Sequence, residues 1–133
     1  MKLRISLALI TIISSIFLTS CSEASLENDL VGSWKQISVG HIPEGTEITW
    51  TFSANHFLYQ TKKTENSIKI DTAFWQVQIN YVSKNSLVIE NLHENIDGKH
   101  LIHSLDTYLK LQRVEFTNGH TDGSFIWSEF EKK

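Results

Sequence analysis

Polar and apolar residues alternate along most of this chain, but only after a different pattern has ended. From Ile5 to Leu18 the stretch ISLALITIISSIFL carries no charge, and Lys2 and Arg4 precede it. A basic start, an apolar run and then small residues is the order of a secretory signal. The run is shorter than the roughly 18 to 20 apolar residues of a spanning helix, and Ser and Thr interrupt it. It therefore predicts a removable export signal over residues 1–20. The following SEASLEND is polar and aperiodic. It predicts a tether over 21–29, with room for a turn of helix near residues 25 to 31. At about 3.5 Å per residue such a tether would hold a domain roughly 25 Å from its anchor.

From residue 30 to the end the period is two. TEITWTFS places Ile48, Trp50 and Phe52 on one face and Glu47, Thr49 and Thr51 on the other. HFLYQTK sends Phe57 and Tyr59 one way, and Ser53 to Asn55 make the turn of a hairpin. IKIDTAFWQVQIN alternates Trp75, Val77 and Ile79 with Gln76, Gln78 and Asn80, and SLVIEN is a shorter strand beyond the turn SKN. The stretch from Leu101 to Val114 holds one or two strands, and GSFIWSEFEK closes the domain with Phe125 and Trp127 on one face and Ile126 and Phe130 on the other. The separators GHIPEG, KTENS, NLHENIDGK and TNGHTDG fall at loop spacing. Seven or eight short strands over residues 30–133 predict an all-β domain, a small antiparallel up-and-down barrel or, failing that, a sandwich. An interior large enough for side chains or one small apolar ligand follows from that strand number. Trp50, Phe52, Phe57, Tyr59, Trp75 and Val77 are the residues expected inside, as core and as ligand contacts.

Composition narrows the chemistry. The one cysteine, Cys21, excludes an intramolecular disulfide and a CxxC metal or redox site. Once Lys2 and Arg4 leave with the signal, 10 basic side chains face 15 acidic ones, a net charge of −5. Lys62 and Lys63 and the two terminal lysines read as solvated surface, so nucleic acid is excluded as a partner. The chain has no GxSxG, no HExxH, no phosphate-cradling Gly loop and no cysteine nucleophile in the mature domain, so no catalytic residues and no enzyme activity are expected. His93, Glu94, Asp97, His100, His103 and Asp106 fall close together. His100 and His103 point to opposite faces of a strand, and the group reads as solvated loop histidines. No metal and no cofactor is expected, although His41, His56 or His120 would be the residues to complete a site if the segment bent.

Two short motifs carry resemblances. Leu18, Thr19, Ser20 and Cys21 resemble the lipobox of bacterial lipoproteins. That resemblance implies a diacylglyceryl group on the Cys21 sulfur, cleavage just before it, further acylation by a fatty chain such as palmitate, and a protein exported and held on a membrane of the cell envelope. Ser22 in place of an aspartate implies, in a Gram-negative host, the outer membrane, facing the periplasm. Two or three acyl chains hold stably where one does not, at roughly 0.8 kcal/mol per buried methylene. The second motif is DLVGSWKQIS, which resembles the opening strand of bacterial lipocalin-like domains. There the Gly, here Gly32, lets the chain pass close to the barrel floor, and the Trp, here Trp34, plugs it. TWTFSANHFLYQ resembles the next hairpin, with Asn55 and His56 where a Gly is usual and Asn55 suited to positive φ. AFWQVQINYVSKNSLVIEN resembles a later strand pair, with Phe74 replacing a usual Gly. The resemblance implies a membrane-anchored barrel that binds a small hydrophobic molecule. The other class open to the same chain is an envelope interaction protein whose filled barrel presents its loops to another protein.

Overall fold

The computed structural model describes residues 22–38, 42–93, 96–115 and 126–133. The expected signal, Cys21, His41, Glu94, His120, Phe125 and the loop TNGHTDG lie outside the described residues. Eight strands follow one another: β1 (Gly32–Ser38), β2 (Glu47–Phe52), β3 (Phe57–Lys63), β4 (Ile68–Gln78), β5 (Ser86–Glu90), β6 (Gly98–Leu105), β7 (Tyr108–Glu115) and β8 (Ile126–Lys132). Each pairs antiparallel with the next, and β1 pairs with β8, which closes the sheet into an up-and-down barrel. Closure leaves no strand edge open to another chain. The Leu101–Val114 stretch resolves into β6 and β7, and β6 begins earlier, at Gly98.

Register then decides what goes inside, because directly opposed residues share a face. Phe52 faces Leu58, Leu58 faces Ala73, Trp75 faces Ile89 and Val77 faces Leu87, a continuous inner surface across four strands. These side chains are buried together with Trp34, Trp50, Leu109, Leu111 and Phe130. The rings interlock: Trp50 and Phe130 lie 4.7 Å apart, and Phe52 meets Trp75 edge-on at 5.4 Å. Trp50, Phe52, Trp75 and Val77 are thus inside, as the alternation predicts.

Phe57 and Tyr59 are not. With Leu58 opposite Phe52, the odd positions of β3 turn outward, and Tyr59 is exposed. The two rings pack on the outer surface, Phe57 at 5.2 Å from Phe74 and 6.4 Å from Tyr59. The sequence pattern of β3 is ambiguous because Leu58 lies between two aromatic rings, and a one-residue choice of register flips every side chain. The hairpin turn differs in the same place: His56, not Asn55, takes positive φ, at 68°. Phe74 fits where a Gly is usual because it points outward.

The segment before β1 is helical over 22–30 rather than a loose tether. Leu26 and Leu30 lie one turn apart on one face, where Leu30 is fully buried and Leu26 packs against the core. So short a helix is stabilised by tertiary packing rather than by its own propensity. It spans about 13 Å, half the length of the extended form. Leu30 leads directly into β1 at one end of the barrel, the floor, where the β2–β3, β4–β5 and β6–β7 connections also lie. β1, β3, β5 and β7 end, and β2, β4, β6 and β8 begin, at the opposite end, the mouth.

Candidate functional site

Trp34 and Leu30 close the floor. The Trp34 indole N–H donates to the Leu30 carbonyl at 2.8 Å, and the Val31 N–H donates to Glu27 O at 2.9 Å, which locks the helix end against β1. Gly32 sits at φ 132°, a conformation that L side chains rarely adopt, while a Cβ there would meet nothing within 4 Å. Backbone conformation, not close approach, is therefore what this glycine supplies. Trp75 is tied to the same end, its indole N–H shared between the carbonyls of Ser53 (3.2 Å) and Phe57 (3.1 Å).

Toward the mouth the inner face changes character. Beyond Trp50 the inward positions are Ile48 on β2, Gln60 and Lys62 on β3, and Lys69 and Asp71 on β4. With Leu92, His93 and Ile96 from the β5–β6 connection they line a cavity of about 320 Å³. Lys62 stands directly opposite Lys69. It is exposed, as the Lys62–Lys63 pair reads in sequence. Lys69 Nζ lies 3.3 Å from Asp71 Oδ2. Lys62 has no ion-pair or hydrogen-bond partner among the described residues.

The rim is held from below. His100, on the inner face opposite Arg113, is buried and bonds through Nε2 to the Ile96 carbonyl at 2.7 Å. Burial pushes its pKa from 6.5 down to about 4; the Ile96 carbonyl bond and Asp97 oppose the shift, and Arg113 adds to it. The ring is neutral at pH 7, so Nε2 carries its proton and donates to Ile96. Asp97 Oδ1 accepts from the N–H groups of Leu92 (2.8 Å) and His93 (3.2 Å), and the N–H groups of Ile96 and Asp97 both donate to His93 O. The apolar wall of the cavity is thereby fixed to the barrel.

The structure separates the histidine-rich segment. His100 is a buried interior residue rather than a solvated loop histidine. His103 faces outward, 2.7 Å from Gln112 Oε1 and 4.6 Å from the Trp127 ring. Among the described residues no three His, Cys, Asp or Glu side chains come together in a way that would hold a metal. A second hollow, about 350 Å³, lies between the helix and β4–β5, with Glu23, Glu27, His56, Phe74, Trp75 and Glu90 among its walls. His56 there is already engaged, 3.0 Å from Glu27 Oε1.

Of the residues the sequence nominated for ligand contact, Trp50, Phe52 and Val77 belong to the filled interior, Trp75 touches the outer hollow, and Phe57 and Tyr59 are outside. None of the six lines the mouth cavity. The residues that do, Ile48 apart, are polar or come from a loop. Extending the period of two past the aromatic positions of β2, with β3 and β4 in correct register, is the only sequence signal that finds them. The chain matches no protein-family model and no curated protein.

Proposed function

We propose that this protein is an exported, non-enzymatic bacterial lipoprotein, anchored to an envelope membrane through Cys21, whose lipocalin-like barrel holds a small molecule with an apolar part in its mouth. In a Gram-negative host the membrane is the outer one and the barrel faces the periplasm. The observation that carries the reading is the concave mouth, about 320 Å³, in which Ile48, Leu92 and Ile96 stand beside a few polar groups. Ligand sites combine apolar walls with sparse orienting polar side chains in this way. The ring-filled floor and outward ion pairs such as Lys35–Glu47 and Lys110–Glu129 are unlike a barrel that faces lipid. Gly32 and Trp34 at the floor fit the lipocalin-like opening strand, and a helix that begins next to Cys21 would set the floor, not the mouth, toward the membrane.

Two measurements test this. Radiolabelled palmitate should enter the wild-type chain and not Cys21→Ser, and no label in the wild type rejects the anchor. Non-denaturing mass spectrometry of the protein as purified should show an added small-molecule mass. A single unliganded mass, with a cross-linked envelope protein instead, favours a scaffold. One feature supports that second reading: an outer face of β3–β4 on which Ile68 and Ile70 are 65% and 60% exposed beside Phe57, Tyr59 and Phe74.

A further inference from the structure

We infer that His56 is a proton-operated latch for the N-terminal helix: its charged ring pins Glu27 to the barrel floor, and loss of the proton loosens the first turns of residues 22–30. The β2–β3 turn is fitted for this. A histidine stands at φ 68°, where glycine would be unstrained, and its backbone is held on both sides. Its N–H donates to Ser53 O at 3.1 Å, and its carbonyl accepts from the Trp75 N–H at 3.0 Å. Glycine there would spare the strain and leave nothing to reach the helix. The ring instead packs 5.2 Å from the Trp75 ring and sets Nε2 3.0 Å from Glu27 Oε1. Leu26 and Leu30 grip the core, but residues 22–25 are exposed, and so short a helix does not hold itself. A neutral imidazole still donates to Glu27; a charged one makes a bond about twice as strong. The outer hollow sharpens the difference. Glu23 and Glu27 from the helix and Glu90 from β5 share it with His56, and β4 contributes no charged side chain to its described walls. Without the proton, the helix brings two carboxylates toward a third. On the anchor reading above, residues 22–27 lie between lipid and barrel; freed, they lengthen from about 9 Å as helix to about 20 Å extended. The proton on His56 then sets how far the barrel stands from the membrane.

The test is amide hydrogen exchange, read by mass spectrometry between about pH 5.5 and 8 and corrected for intrinsic rates, on the full-length protein processed by its cell and held in a non-ionic detergent. Protection of the amides of residues 26–31 should fall about threefold as pH rises across that range, although the barrel itself gains stability over it through His100. His56→Lys, charged at every pH used, should keep the high protection throughout. His56→Asn, which tolerates positive φ, should show the low protection throughout. His56→Gly should do the same without lowering the urea midpoint, because the backbone strain is relieved. A wild-type helix whose protection does not change with pH, or changes equally in His56→Asn, overturns the latch. A wild type that takes up no palmitate while its helix exchanges as expected removes the anchor reading and leaves the latch standing.

Discussion

The two ends of this barrel are built from the same alternating strands and do opposite things. At the floor the buried inward positions are mostly apolar, the rings touch, and the tryptophan N–H groups of Trp34 and Trp75 find carbonyls. At the mouth the same faces of β3 and β4 carry Gln60, Lys62, Lys69 and Asp71, and the side chains stand apart around open space. Apolar burial stabilises by about 25 cal/mol per Å², and only the floor end gains it in full. The difference teaches that one end of the tube holds the fold while the other is free to be chemically specific.

The largest expected effect tests the floor. Trp34→Ala should lower stability by about 3–5 kcal/mol in urea unfolding, whereas Ile48→Ala at the mouth should lower it by no more than about 1–2 kcal/mol. Equal losses would erase the distinction between the ends. His100 comes next, at the junction of the two regions. Its pKa is depressed in the fold to about 4 from 6.5, so its contribution is complete above pH 6.5 and is lost as the unfolded chain takes up the proton first. Stability should fall by about 1.5 kcal/mol between pH 6.5 and 5 from this group alone. His100→Phe should show a flatter profile over that window, and an unchanged slope would contradict the buried neutral ring. Gly32→Ala should cost about 1–2 kcal/mol from backbone strain, since the added Cβ has room. A crystal structure of that variant with the strand start unmoved would accompany this loss. The smallest effect belongs to the outside. Glu47, held below its ordinary pKa by the Lys133 hydrogen bond at 2.7 Å, is solvent-facing, and Glu47→Gln should leave the urea midpoint unchanged.

The barrel was legible because alternation over TEITWTFS and over the Trp75–Val77 end of β4 names one face directly, and those faces are the ones buried. The candidate site was not. Lys62 next to Lys63 reads as solvated surface and is exposed, but only cross-strand register places Lys69 opposite it, and in FLYQTKK the alternation permits two registers. The leucines of the helix are only two, too few to declare a period, and they gained meaning only when the floor gave them something to cover.

By itself, the sequence determined the all-β class, the strand positions, the aromatic filling of β2 and β4 and the break in pattern around Cys21, because side-chain period and composition are local properties. Tertiary structure alone decided which face of β3 turns inward, that Leu26 and Leu30 form a helix across the floor, and that two lysines and an aspartate share one cavity. The first and last depend on cross-strand register and the helix on packing against the core, relations between residues distant in the chain that no local pattern encodes.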